Sequence, residues 1–188
     1  MFTLHKELET ELNLDGKIYA VNMSFDNVLK FFKILDNSIS FDGDKIVAAL
    51  YQLLGVRLDL SIDDQHKVLN YIVDNFINEG TEEDIAVDLE GNPMPMKKKE
   101  QVYCLKHDAE YIFASFMHAY NIDLFKEQGK LDWRLFKSLL NGLPENTIMS
   151  KIIDIRRRPY PKGKHAVEER RRLKEAKRAY ALPGAEVE

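Results

Sequence analysis

Residues 132–144 read DWRLFKSLLNGLP and contain the start, the apolar face and the end of one short helix. Asp132 is an N-cap candidate, because a side-chain oxygen at that position accepts from the first free backbone N–H groups. A glycine and a proline close the stretch, as they commonly do after a helix. We therefore predict a helix over about 132–141. Its apolar face recurs at helical spacing and consists of Trp133, Phe136 and Leu140.

The same three- and four-residue spacing of apolar side chains continues on both sides of this stretch. Ser24 and Ser61 are N-cap candidates for two of the helices, and Asp64 follows Ser61 at capping-box spacing. Pro159 and Pro161 predict an extended segment before the last helix. The predicted helices cover about 25–37, 43–55, 61–80, 108–120, 132–141, 148–155 and 165–182.

A β-hairpin is predicted near the N-terminus, over about 9–21. Asp15 and Gly16 separate two short apolar runs, and both residue types tolerate the positive φ of a tight turn. A two-stranded hairpin is too small to be stable alone, so it must pack on helices. The predicted fold class is mainly α, with one short N-terminal hairpin.

The helical pattern stops between residues 80 and 100, which are polar and hold two Gly and two Pro residues. This composition is typical of a linker between two parts of a chain. We predict a hairpin-and-helix domain over 1–79, a variable linker over 80–106, and a C-terminal helical subdomain over 107–188 that ends in a basic arm.

Charge is distributed unevenly along the chain. Residues 1–96 carry 7 Lys/Arg and 18 Asp/Glu, whereas residues 97–188 carry 20 and 13. Within 150–182 there are 12 basic and 4 acidic residues. Such polarity indicates a face that meets another macromolecule, or a basic end that neutralises the acidic part of the same or a neighbouring subunit.

Few residues form a pattern that carries chemistry. Cys104 and His107 have the spacing of half a metal site, but no second pair completes it. The adjacent Asp63 and Asp64 fit a helix N-terminus, where the helix dipole favours negative charge. We find no phosphate-binding loop, nucleophile elbow or zinc-protease motif. We therefore expect no enzyme, no cofactor and no metal. No apolar run is long enough for a transmembrane helix or a signal peptide, so we expect no membrane association and a place in the cytoplasm.

The basic C-terminal segment is the main charged feature. It begins with three arginines at 156–158 and continues with cations along the last helix. Such charge can neutralise phosphates, but the acidic residues Glu168, Glu169 and Glu175 interrupt it, and aromatic residues for base stacking are sparse. Docking on an acidic protein surface is favoured over nucleic acid.

Several motifs in order resemble the bacteriophage "gene product fifteen" family, known from phages and prophages of Gram-positive bacteria. Residues 133–144 are similar to its W-x-x-F-x-x-L-L-x-x-L-P signature, and 108–116 to its D-A-x-Y-I-x-A-x-F pattern. Residues 120–124 match Y-x-I-D-L, and the basic helix ending Tyr180-Ala181-Leu182 also fits. The series covers most of the chain, although the segment 80–106 contributes nothing to it.

The resemblance implies a non-enzymatic tail assembly factor of the host cytoplasm. Such a factor is expected to be a tail assembly chaperone that binds the tape-measure protein, contacts the tail-tube protein, and is absent from the finished virion. The alternatives are a structural tail or connector component, and a nucleic-acid-binding phage protein. A homo-oligomer is also compatible. The candidate partner-binding residues are Trp133, Phe136, Leu140, Arg156, Arg157, Arg158, Arg171, Lys174 and Arg178.

Overall fold

A computed structural model describes residues 4–36, 42–78, 102–163 and 166–184. These residues form a two-stranded hairpin and seven α-helices, which confirms the predicted fold class. The helices are α1 (Phe25–Leu35), α2 (Asp42–Leu54), α3 (Ile62–Ile72), α4 (Ala109–Tyr120), α5 (Trp133–Asn141), α6 (Ile148–Arg157) and α7 (Val167–Ala179). A π-helical turn, Val73–Ile77, continues α3. The predicted end of that helix at Gly80 and most of the predicted linker lie outside the described residues.

The hairpin forms as predicted. Strands β1 (Glu11–Leu14) and β2 (Lys17–Ala20) pair antiparallel with Leu14 opposite Lys17. Asp15 and Gly16 between them both have positive φ, at 50° and 82°, which is the backbone that a tight two-residue hairpin turn requires. The buried side chain of Leu12 holds the hairpin against the rest of its unit.

The two predicted serine caps differ. The Ser61 hydroxyl accepts from the Asp64 N–H at 3.2 Å, so this cap is confirmed. Ser24 occupies the predicted N-cap position of α1, but its hydroxyl donates to the Asn22 Oδ1 and caps no backbone N–H of the helix. The Asp132 cap of α5 is confirmed, because its Oδ1 accepts from the Arg134 N–H at 2.8 Å.

The chain divides into two compact units. Unit 1 contains the described residues up to 78 together with 127–138, and unit 2 contains 102–126 and the described residues from 139 onward. The sequence predicts that 127–138 belong to the C-terminal helical subdomain. In the structure the Phe25 N–H donates to the Leu131 carbonyl at 2.9 Å and the Trp133 N–H donates to the Met23 carbonyl at 2.7 Å. These backbone bonds fix the segment in unit 1.

The core of unit 1 is formed by apolar side chains of the hairpin, α1, α2, α3 and the first part of α5. Helical spacing in α1 predicts an apolar face of Phe25, Val28, Leu29, Phe32 and Leu35. This face is only partly correct, since Phe31 is fully buried while Phe32 and Leu35 are partly exposed. Asn27, one turn before Phe31, donates to the Gln52 carbonyl of α2 at 3.0 Å. The neighbouring α2 therefore selects which side of α1 faces inward.

The core of unit 2 lies between α4, α6 and α7. Ile112 and Phe116 of α4 and Met149 and Ile152 of α6 are buried, and Leu173 is the buried residue of α7. The buried Ser115 hydroxyl accepts from the Met149 N–H at 3.0 Å and connects α4 to the start of α6. Unit 2 thus has an apolar core of its own.

Candidate interaction surfaces

A buried ion pair lies at the centre of the basic segment of unit 2. Asp108 is fully buried, and Arg156 donates to its two oxygens at 2.7 and 2.8 Å. Arg156 also donates to the carbonyls of Tyr180, at 2.7 Å, and Val102, at 2.9 Å. Burial raises the pKa of Asp108, but the bonds from Arg156 and from the Cys104 N–H outweigh it and leave that pKa below its ordinary value. Arg156, a predicted partner-binding residue, therefore has a structural role inside unit 2.

The predicted basic arm is a helix packed on unit 2. The Tyr160 ring lies 5.5 Å from the Arg170 guanidinium and 4.9 Å from the Lys177 ammonium, which are cation–π distances. Lys177 also donates to the Arg156 carbonyl at 3.1 Å. Together with the buried Leu173, these contacts attach α7 along its length.

Acidic residues of the same helices neutralise part of the basic charge. Glu168 accepts from Arg171 at 2.8 Å and from Arg172 at 3.3 Å, and the pKa of this carboxyl is lowered chiefly by the Arg171 bond. Arg158 pairs with Asp154 one turn earlier on α6. Such exposed pairs contribute little stability, but they lower the local charge density.

The remaining cations form what we call the cationic surface, which lies where α6 and α7 meet. Arg157 and Arg178 are exposed and Lys174 is half-buried, and among the described residues we find no ion pair for these three. Residues four apart on a helix share a face, so the α7 members line up. The cationic surface consists of Arg157, Arg170, Lys174, Lys177 and Arg178.

The three predicted apolar partner residues lie in the core. Trp133, Phe136 and Leu140 are 5%, 2% and 5% exposed. In unit 1 the Trp133 Nε1 donates to the Ile77 carbonyl at 3.1 Å, and the Phe136 ring stacks on Phe25 at 5.1 Å. Their side chains therefore offer almost no surface to a partner, and core packing explains their periodicity.

Unit 2 has an apolar patch that periodicity did not reveal. Phe125 is 72% exposed, and its ring lies 5.3 Å from that of the half-buried Phe113 on α4. Met117, one turn further along α4, is 38% exposed. The Asp123 side chain accepts from the Phe125 N–H at 3.1 Å and fixes the turn that presents the ring. We call Phe113, Met117 and Phe125 the apolar patch; Phe125 lies in a turn, where no helical spacing identifies it.

Unit 1 has a groove of about 420 Å³ beside its N-terminal segment, which we call the acidic groove. Three exposed carboxylates, at Glu7, Glu9 and Glu11, line it together with the half-exposed ring of Tyr71. Arg134 also lines the groove, but its guanidinium donates to Asp132 at 2.9 Å and to the Glu9 carbonyl at 3.0 Å. His5 and Lys6 also line the groove, where the three carboxylates outnumber the Lys6 ammonium.

Cys104 and His107, whose spacing fits half a metal site, both lie in the described part of unit 2. Cys104 is half-buried, and the His107 ring lies 3.4 Å from the Ala181 carbonyl. In the described part of the chain, no three His, Cys, Asp or Glu side chains are grouped so as to hold a metal ion. Within the same residues, no helix is long and apolar enough to cross a membrane.

The described residues thus define a mainly helical protein with charged and apolar surfaces suited to contact with other macromolecules. The family model for Bacteriophage Gp15 protein matches residues 4–182, and the chain belongs to this family. The match confirms the resemblance inferred from the ordered motifs. A search of curated proteins and a search of solved structures each gave no match. Membership of a phage family supports a structural or tail-related role.

Proposed function

We propose that this protein is a non-enzymatic tail assembly chaperone that binds the tape-measure protein of its phage. The family membership supports a tail-related role, and the apolar patch is the observation that carries the finer proposal. A protein that keeps long amphipathic helices in solution needs exposed apolar surface that such helices can cover. The patch provides this surface on α4 and the turn after it.

The energy available at the patch is sufficient for specific contact. Complete burial of a Phe side chain contributes about 1.5–3 kcal/mol, and Phe125 leaves 72% of its surface open. Since about 1.4 kcal/mol corresponds to a tenfold change in affinity, this one ring can change binding about tenfold or more. The exposed members of the predicted cationic set, such as Arg157 and Arg178, are candidates for the charged part of the contact.

The test is a pull-down and co-expression with fragments of the tape-measure protein from the same phage. We expect the wild-type protein to bind the fragments and keep them soluble, and Phe125→Ser to weaken binding about tenfold. Val167→Ser is the matched control, because Val167 is also 72% exposed but lies on α7. Failure of the wild-type protein to bind, or an equal loss in the control, would contradict the proposal.

Two other functions are tested by separate measurements. Mass spectrometry of purified particles would detect the protein if it is a structural tail component, whereas a chaperone is expected to be absent. The cationic surface is compatible with phosphate binding, so gel shifts at low salt test nucleic acid. The ion pairs of Glu168 with Arg171 and Arg172 reduce the charge available for it.

A further inference from the structure

We propose that the cationic surface of one copy of this protein docks into the acidic groove of a second copy. The inference goes beyond the proposed function, which is carried by the apolar patch. It rests on three observations: the opposite charge of the two units, the unpaired ions on both surfaces, and the matching spacing of those ions.

The two units carry opposite net charge. The described residues of unit 1 hold 10 Lys/Arg and 14 Asp/Glu, and those of unit 2 hold 13 and 8. Electrostatic complementarity of this kind steers association and fixes register. Because every copy carries both surfaces, a second copy always supplies the complement in equal amount.

Both surfaces hold ions that the described residues leave unpaired. Arg157 and Arg178 are exposed with no ion pair among those residues, and the same holds for the carboxylates of Glu7, Glu9 and Glu11. Four charged side chains of α7 already pair within the helix, namely Glu168, Arg171, Arg172 and Glu175, and Asp154 of α6 pairs with Arg158. Both surfaces therefore present charge that a second copy can neutralise.

The spacing of the two sets of charges is also compatible. The three carboxylates occupy alternate positions in the segment that leads into β1. Alternate residues of an extended segment lie about 6.7 Å apart, and residues four apart on a helix lie about 6 Å apart. A row of carboxylates can thus face the row formed by Lys174 and Arg178. The exposed ring of Tyr71 at the groove can accept a cation over its face.

The expected contact joins different surfaces of two identical chains. Repeated from copy to copy it generates closed rings or open chains, and made reciprocally by two copies it generates a symmetric dimer. Because the contact is charged and exposed, salt should weaken it. The Debye length is about 10 Å at 0.1 M salt and about 3 Å at 1 M.

Sedimentation velocity of the purified full chain, over a concentration series at low and high salt, tests the proposal. At low salt we expect the average mass to rise with concentration, and at high salt to stay at that of one chain. Arg157→Glu with Arg178→Glu should abolish the rise, and so should Glu7→Lys with Glu11→Lys. Lys33→Glu with Arg57→Glu is the matched control, because these two exposed cations lie in unit 1 away from the groove.

Mixing the two reversed variants gives the most specific result. The Arg157→Glu, Arg178→Glu variant keeps its acidic groove, which can bind the unchanged cations of the Glu7→Lys, Glu11→Lys variant. The two reversed surfaces also carry opposite charge and complement each other. Association should therefore return in the mixture although each variant alone is monomeric. Circular dichroism confirms that each variant is folded. Arg157→Gln with Arg178→Gln, or Glu7→Gln with Glu11→Gln, replaces the corresponding reversal if it does not fold.

Three results would overturn the proposal: a wild-type protein that stays monomeric at low salt, a control that loses association equally, or a mixture that stays monomeric. Binding of tape-measure fragments through Phe125 is measured separately on the Glu7→Lys, Glu11→Lys variant, whose changes lie outside the apolar patch and the cationic surface. Its persistence in a monomeric variant separates failure of this inference from failure of the proposed function.

Discussion

Replacement of Asp108 by asparagine should destabilise unit 2 strongly. Asp108 is fully buried, and its two oxygens accept from two Arg156 nitrogens and from the Cys104 N–H, all within 2.9 Å. Asparagine has the same shape but turns an NH₂ group toward the guanidinium, which leaves a buried positive charge without its partner. Breaking one half of a buried ion pair costs about 3–5 kcal/mol, a large part of a typical free energy of unfolding.

Urea unfolding followed by helical circular dichroism measures this loss. With a slope of about 2 kcal/mol per molar urea, a loss of about 3 kcal/mol lowers the midpoint by about 1.5 M. Asp154→Asn is the control, because it breaks the exposed pair with Arg158 on α6 and should cost less than about 1 kcal/mol. A double variant with Arg156→Gln should lose less than the two single losses together, since it removes both charges.

Two results would refute this reasoning. One is a loss from Asp108→Asn no larger than that from Asp154→Asn, which would mean that the buried pair stabilises unit 2 no more than a surface pair. The other is strict additivity in the double variant, because coupled charges must show an interaction energy.

Three further outcomes are expected. Burial raises the pKa of Asp108, but the Arg156 bonds outweigh this and lower it, so the stabilisation is present above the unfolded pKa and lost as pH falls through the folded one. The gap in urea midpoint between wild type and Asp108→Asn should therefore shrink below about pH 4, and a constant gap across pH would contradict this. Ser61→Ala removes the N-cap of α3 and should cost about 1 kcal/mol in thermal unfolding, whereas Ser61→Thr keeps an acceptor and should cost less. Gly55→Ala should cost about 1 kcal/mol because Gly55 has φ +68°, while Gly43→Ala within α2 should stabilise by about 0.5 kcal/mol in the same melts. Equal changes in stability from Gly55→Ala and Gly43→Ala would show that the backbone conformation of the glycine does not determine the effect of the substitution.

Local sequence signals predicted the secondary structure well. The helix around residues 132–144, the Asp15-Gly16 turn and the Ser61 cap depend on residues within four positions of each other, so their spacing is visible in the sequence. The Ser24 cap shows the limit of such signals. The Ser24 hydroxyl can bond either to the start of the helix or to the Asn22 side chain, and the spacing of residues does not show which bond is preferred.

The candidate site was less predictable, because its parts are far apart in sequence. Arg156 and Asp108 are separated by 48 residues, so their pairing is not visible in the sequence. The arginine run at 156–158 suggested exposed charge, whereas the fold buries Arg156. Phe125 shows the opposite case, because the structure exposes a side chain that no sequence pattern marked as exposed. It lies in a turn, and an aromatic residue outside a periodic segment gives no indication of exposure.

The sequence by itself determined the positions of the helices and the hairpin, the uneven charge, and the family of this phage protein. All four depend on neighbouring residues or on motifs in a fixed order, which can be recognised without the fold. Only the tertiary structure decided that 127–138 belong to unit 1, that Trp133 and Arg156 are buried, and which cations and apolar rings remain exposed. The physical reason is that exposure depends on which distant segments pack together, and that depends on the sum of many weak contacts across the chain.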